Sequence, residues 1–178
     1  MTNNILLAGF GGQGILFAGK VIAYSGLTQG KEVSWLPSYG PEMRGGTANC
    51  GVCISDEPIG SPLIINPNIF VAMNLPSLDK FIDDVEPGGA VVIDSTLINK
   101  KVERQDVKVS YIPATQLAVD NQLEGLANII IIGKLLKETG FSTFQAVEAA
   151  IQKCVPPRKA HLIDANLRAI QIGMDYEG

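Results

Sequence analysis

The apolar positions fall first into short continuous runs and later into helical periods. Residues 4–8 (Asn-Ile-Leu-Leu-Ala) are nearly all apolar, which predicts a strand buried on both faces in a parallel sheet. Over residues 13–29, Ile15, Leu16, Ala18, Val21, Ile22 and Leu27 form one wide apolar face, predicting a helix with Gly30 as its stop. Residues 32–36 predict a second strand ended by Pro37, and residues 38–46 a loop. Residues 47–55 predict a third strand, with Asp56-Glu57-Pro58 as its turn. Two strands joined by a loop without a helix predict a hairpin or edge insertion, not a plain βαβ repeat. Further strands are expected over 70–74, 90–94 and 107–112, with a short helix over 76–83 started by Pro76 and a turn at Pro87-Gly88-Gly89. Asp94-Ser95-Thr96 is expected at the carboxyl end of the sheet. The remainder predicts helices over 115–123, 126–139, 143–154 and 161–172, broken at Gly125, Gly140 and Pro156-Pro157. No internal repeat or linker interrupts 1–178, which reads as a single α/β domain: a Rossmann-like, mostly parallel sheet flanked by helices, with a helical C-terminal part.

The link between the first strand and first helix carries the first candidate chemistry. Gly9, Gly11 and Gly14 stand at G-x-G-x-x-G spacing, with Phe10, Gly12 and Gln13 between them. Such glycines permit a sharp turn, a close approach to a phosphate, and tight helix–strand packing, and the helix N-terminus is an anion site. A dinucleotide site also needs an acidic residue at the end of the second strand. Here Trp35 to Ser38 contain none, and Glu32 sits at the strand's start. That weakens the reading of a self-sufficient dinucleotide-binding dehydrogenase.

Composition narrows the picture. The 178 residues are 46% hydrophobic and 18% charged, with net charge -4. The balance argues against nucleic-acid binding, and the greasiness fits an α/β core or a subunit with covered faces, the latter expected to self-associate when isolated. No run reaches the roughly 18 apolar residues of a membrane span, and no basic segment precedes the first apolar run to make a signal peptide. Three cysteines suggest a reducing cytoplasm. Cys50 and Cys53 form a CxxC, but residues three apart on a strand point to opposite faces, so two small buried residues are expected and no metal. His161 is expected to start the last helix. Asn128, beside Ile129 to Ile132, is expected either to satisfy a backbone group or to reach a partner. Asn166, Ala169 and Gly173 form a small-residue stripe that permits close packing, inside the domain or against another subunit.

The loop Ser38-Tyr39-Gly40-Pro41-Glu42-Met43-Arg44-Gly45-Gly46 joins an aromatic ring to a guanidinium that pairs well with carboxylates and phosphates. With Gly9 to Gly14, Asn128 and Gly133, and Asn166 to Gly173, in that order, the chain resembles the gamma subunit of the 2-oxoacid:ferredoxin (acceptor) oxidoreductases, most like the 2-oxoglutarate type. One departure is Asn68, where many members carry Asp. The resemblance implies one domain of a multi-subunit cytoplasmic enzyme that converts a 2-oxoacid, coenzyme A and oxidised ferredoxin, or another acceptor, into acyl-CoA, carbon dioxide and reduced acceptor. It implies that thiamine diphosphate and magnesium bind to the alpha and beta partners, and that iron–sulfur clusters sit on beta or on a small delta, ferredoxin-like chain. This chain then holds no cofactor or metal alone and supplies no catalytic residue. Gly9, Gly11, Gly12, Gln13, Gly14 and Arg44 become candidate contacts to coenzyme A or another phosphate. Tyr39, Gly40, Pro41, Glu42, Met43, Arg44, Gly45, Gly46 and Asn128 become candidate interface residues. A binding or assembly protein without a redox role is the other alternative.

Overall fold

The structure, a computed structural model, describes residues 1–38 and 47–178. The expected loop contacts Tyr39, Gly40, Pro41, Glu42, Met43, Arg44, Gly45 and Gly46 lie outside the described residues. Six strands form one sheet: β1 (Thr2–Phe10), β2 (Glu32–Ser38), β3 (Thr47–Ser55), β4 (Ile69–Ala72), β5 (Ala90–Asp94) and β6 (Lys108–Ile112), in the order β2-β3-β1-β4-β5-β6. The β1–β4, β4–β5 and β5–β6 pairs are parallel, and β3 is antiparallel to both of its neighbours. Hence β3 is the one reversed strand. The expected hairpin is present, and it inserts β3 between β1 and β2.

β1 is longer than expected, and its alternation decides the layers. Ile5 and Leu7 join one core cluster, Leu6 and Ala8 the other. The larger cluster holds α1 (Ile15–Thr28), α3 (Ala114–Asp120), α4 (Ala127–Thr139), α5 (Phe144–Cys154) and α6 (Ile163–Asp175). Only α2 (Leu75–Phe81), continued by a 3-10 turn, covers the other face, through Leu78 against Phe70 and Ile93. The sandwich is therefore lopsided. Over β1, β3 and β2 that second face meets, among the described residues, a loop in which Ile64 lies against Gly51. Leu36, Leu63 and Ile65 remain 41%, 63% and 71% exposed.

Three expected boundaries are corrected. Pro37 does not end the second strand: it lies inside β2, opposite Cys50. β2 is the sheet edge, where a missing N–H need not break a ladder. The helix expected over 115–123 stops at Asp120, because Gln122 turns left-handed at φ 58° and its neighbours close the end. Leu123 N–H donates to the Ala118 carbonyl at 2.7 Å and Gln122 N–H to Val119 at 3.1 Å. The last helix starts at Ile163, not at His161, which is exposed in a 3-10 turn after the Pro156-Pro157 break. The end of α1 is as expected: Gly30 N–H reaches Leu27 and Lys31 N–H reaches Gly26, closing the helix just before β2.

α4 is buried along most of its length, as a helix apolar on all sides must be. It packs between the sheet and α6. Gly133 and Gly173 face the backbone of the opposite helix at that crossing, and Asn166 and Ala169 are buried beside it. The small-residue stripe is used inside the domain. Asn68 accepts from Asn4 N–H at 2.8 Å and donates to the Thr2 carbonyl at 2.9 Å, serving both polarities of β1 as a carboxylate cannot.

Candidate functional site

The chain leaves β1 toward β2 on one side, while β4 adds to β1 on the other. The carboxyl ends of β1 and β4 therefore flank the point where sheet order reverses, the usual ligand crevice of an open α/β sheet. The glycine loop fills one wall of it. Phe10, Gly11, Gly12, Gly14, the first turn of α1 and Ala48 line a depression of about 270 Å³. Gly12 and Gly14 have φ +93° and +73°, in the region that strains any residue with a Cβ. Among the described residues no heavy atom beyond the chain neighbours lies within 4 Å of the place a Gly12 Cβ would take.

The loop's polar side chains hold the loop itself. Gln13 Oε1 accepts from Phe10 N–H at 2.6 Å, and its Nε2 donates to the Met73 carbonyl at 3.0 Å, stitching the turn to the end of β4. Asn128, 4% exposed at the start of α4, donates from Nδ2 to the Gly14 carbonyl at 3.0 Å. The amide nitrogen thus satisfies a backbone carbonyl, one of the two expected alternatives, while its Oδ1 is buried with no hydrogen-bond partner among the described residues. Gly9 lies inside β1, where a Cβ would press on Gln13 Oε1, Ile15 Cδ1 and Met73 Cβ at 2.5, 2.9 and 3.0 Å. Gly9, Gln13 and Gly14 thus shape the turn, and Gly11 and Gly12 face the depression. Arg44 lies outside the described residues.

The electrostatics favour an anion. Gly14 caps α1 without a side chain, and the first turn holds no acidic residue, so nothing on the helix offsets the positive end of its dipole. The dehydrogenase reading loses further ground. β2 runs parallel to β1, which puts Glu32 at the end of the sheet away from the glycine loop, and β3 separates the two strands. Cys50 lies in the larger core cluster with Val52 and Ile54, and Cys53, an odd number of residues away, faces the other side of β3, as the spacing predicts. Burial pushes the Cys50 thiol up to about 12, and Cys53 is also raised by burial. Asp94, at the carboxyl end of β5, is fully buried. It accepts from Thr115 Oγ1 at 2.6 Å and from Thr96 N–H at 3.1 Å, a tie between strand and helix. Asn74, not singled out from sequence, caps α2: its Oδ1 accepts from Ser77 N–H at 2.8 Å. An Asn immediately before Leu-Pro was the available signal.

The family of pyruvate ferredoxin/flavodoxin oxidoreductases matches residues 4–176. The chain belongs to this family.

Among its members the chain is similar to the 2-oxoglutarate synthase subunit KorC of Methanocaldococcus jannaschii, 40% identical over 159 residues, covering 88% of this chain and 85% of that one. It is 39% identical over 174 residues to the ketoisovalerate oxidoreductase subunit VorA of Methanothermobacter thermautotrophicus, covering 97% of this chain but only 36% of VorA. The chain thus spans about a third of the length of one kind of relative and most of another. Among solved structures, the keto/oxoacid ferredoxin oxidoreductase gamma subunit of Geobacter sulfurreducens superposes with TM-score 0.83 at 28% identity, covering 97% of this chain and 96% of that one. The Rossmann-like oxidoreductase fold expected from sequence is therefore the fold of the family. No helix among the described residues is long and apolar enough to cross a membrane.

Proposed function

We propose that the chain is the gamma subunit of a 2-oxoacid:ferredoxin oxidoreductase, with 2-oxoglutarate as the 2-oxoacid, and that its glycine loop positions coenzyme A. The observation that carries the second part is the depression at Gly11 and Gly12. It presents the free N–H groups of a helix start to open space, with no titratable side chain among its described lining residues. Such a wall binds and orients a phosphate and leaves proton transfer to other groups.

In this reading the chemistry of decarboxylation and one-electron transfer comes from thiamine diphosphate, magnesium and iron–sulfur clusters bound by the alpha and beta chains, or by a delta, ferredoxin-like chain. The described residues offer no donor set for magnesium or an iron–sulfur cluster. No three His, Cys, Asp or Glu side chains gather as a metal site among the described residues, and the three cysteines are buried and separate. This chain's part is to hold the coenzyme A phosphates at the start of α1 and to wall off water from the reacting centre. The Tyr39 to Gly46 loop and Arg44 are assigned to the contact with the partner chains and with coenzyme A.

The test is a coenzyme A titration of the complete complex carrying Gly12→Asp or Arg44→Ala. Gly12→Asp places a carboxylate in open space at the anion wall. The expected result is a rise of about tenfold or more in the coenzyme A concentration at half-maximal rate, with turnover at saturation kept. An unchanged coenzyme A dependence in both variants rejects the role of the loop. Activity of the remaining subunits without this chain rejects the subunit reading itself.

A further inference from the structure

A second cavity, of about 400 Å³, opens where α1, the start of α4, the end of α5 and the turn before α6 meet. Its size suits a small ligand. Phe17, Leu126 and Leu162 come from three separate elements and make its walls apolar, and Lys20 and Lys159 stand in the same lining. No carboxylate lines it among the described residues. The lysines of this chain divide into those that meet a carboxylate and those, such as Lys80, Lys101, Lys108 and Lys153, that do not among the described residues. Lys31, Lys100 and Lys134 each meet a carboxylate at 2.6 to 2.8 Å. Neither Lys20 nor Lys159 has such a partner among the described residues. In a chain of net charge -4, an acid-free cavity lined by two lysines without carboxylate partners, Lys20 lying 6.0 Å from the Tyr24 ring centroid, is a local reversal of sign.

We propose that this cavity is a second binding site, for a small organic anion with an aliphatic body. Lys20 and Lys159 hold its carboxylate, and its chain lies among Phe17, Leu126 and Leu162. The charge of the site reaches its wall. Cys154, 7% exposed in the lining, has its thiol raised by burial, and Lys20 and Lys153 pull in the opposite direction. Phe17 also borders the glycine-loop depression, so the two cavities are neighbours along α1. The site does not depend on what the glycine loop holds, and it is tested separately.

The probes are octanoate and octan-1-ol, titrated against the isotope-labelled full chain and followed by amide NMR shifts. Octanoate is expected to shift the amides of Lys20, Cys154 and Asn166 saturably. Octan-1-ol is expected to bind roughly tenfold more weakly, because it lacks the charge. The double variant Lys20→Ala, Lys159→Ala removes two side chains from the surface without touching the core, and is expected to lose octanoate affinity by a similar factor. Lys80→Ala, on α2 across the sheet, is expected to bind as the native chain does. No saturable shift overturns the proposal. So do equal affinities for the acid and the alcohol, an unaffected double variant, or shifts confined to the exposed Leu36 and Leu63 region.

Discussion

At the mouth of the sheet, Gly12 has a left-handed backbone and, among the described residues, nothing within 4 Å of where a Cβ would sit. Between α4 and α6, Gly133 and Gly173 are not left-handed, but a Cβ on either would collide with the facing helix at the carbonyls of Ile170 and Ile130. One glycine leaves room for a group from outside the domain; the other two remove the room between two helices. Gly14 has both properties, with φ +73° and the amide of Asn128 where its Cβ would go. Gly19 belongs with the packing pair, since its missing side chain lets Cys50 Sγ close against α1. Glycines of the turn at the sheet's mouth thus differ in geometry from glycines that serve the core.

Substitutions break the comparison in a definite order. Gly173→Ala and Gly133→Ala are expected to destabilise most, by about 3 kcal/mol or more each, because backbone atoms cannot step aside. Urea midpoints measure this, and a native midpoint in either would show that the helices can separate cheaply. Gly14→Ala is expected to cost about 2 kcal/mol, from left-handed strain plus the displaced Asn128. Cys50 sharpens the packing side through pH. Its folded thiol is raised from 9.0 to about 12, so its burial stabilises the fold fully below pH 9.0 and that stability is lost as pH rises toward about 12. Between about pH 8 and about pH 10 the Cys50 share of the fall should total about 1.4 kcal/mol, and Cys50→Ala should fall by that much less, Cys53 and Cys154 keeping their own burial-raised shares. Gly12→Ala should cost least, about 1 kcal/mol, from backbone strain alone. A loss equal to that of Gly14→Ala would mean that its surroundings are not open.

Much of the fold was legible along the chain. Continuous apolar runs marked β1, β4 and β5, and the missing helix between Leu36 and Thr47 marked the hairpin. The Cys50–Cys53 spacing on a strand foretold buried thiols on separate faces. Boundaries were less legible where one residue's backbone decides them. Gln122 ends α3 in a conformation that glycine usually takes, and Pro37 stays in β2 because β2 lies at the edge of the sheet. At the candidate site the turn was visible, but its wiring was not. Gln13, a candidate ligand contact in the sequence, bridges Phe10 to Met73, a residue 60 positions away.

Sequence alone determined the strands, the helices, the glycine turn and the absence of an acidic residue at the end of the second strand, because these follow from local spacing and residue chemistry. The tertiary structure decided which side of Asn128 and of the Asn166–Gly173 stripe faces inward, and that β3 stands between β1 and β2. It also brought Lys20, from the first helix, to the same cavity as Lys159, from the turn before the last. Contacts of that kind join segments far apart in the chain, and no local pattern of residues encodes which segments will meet.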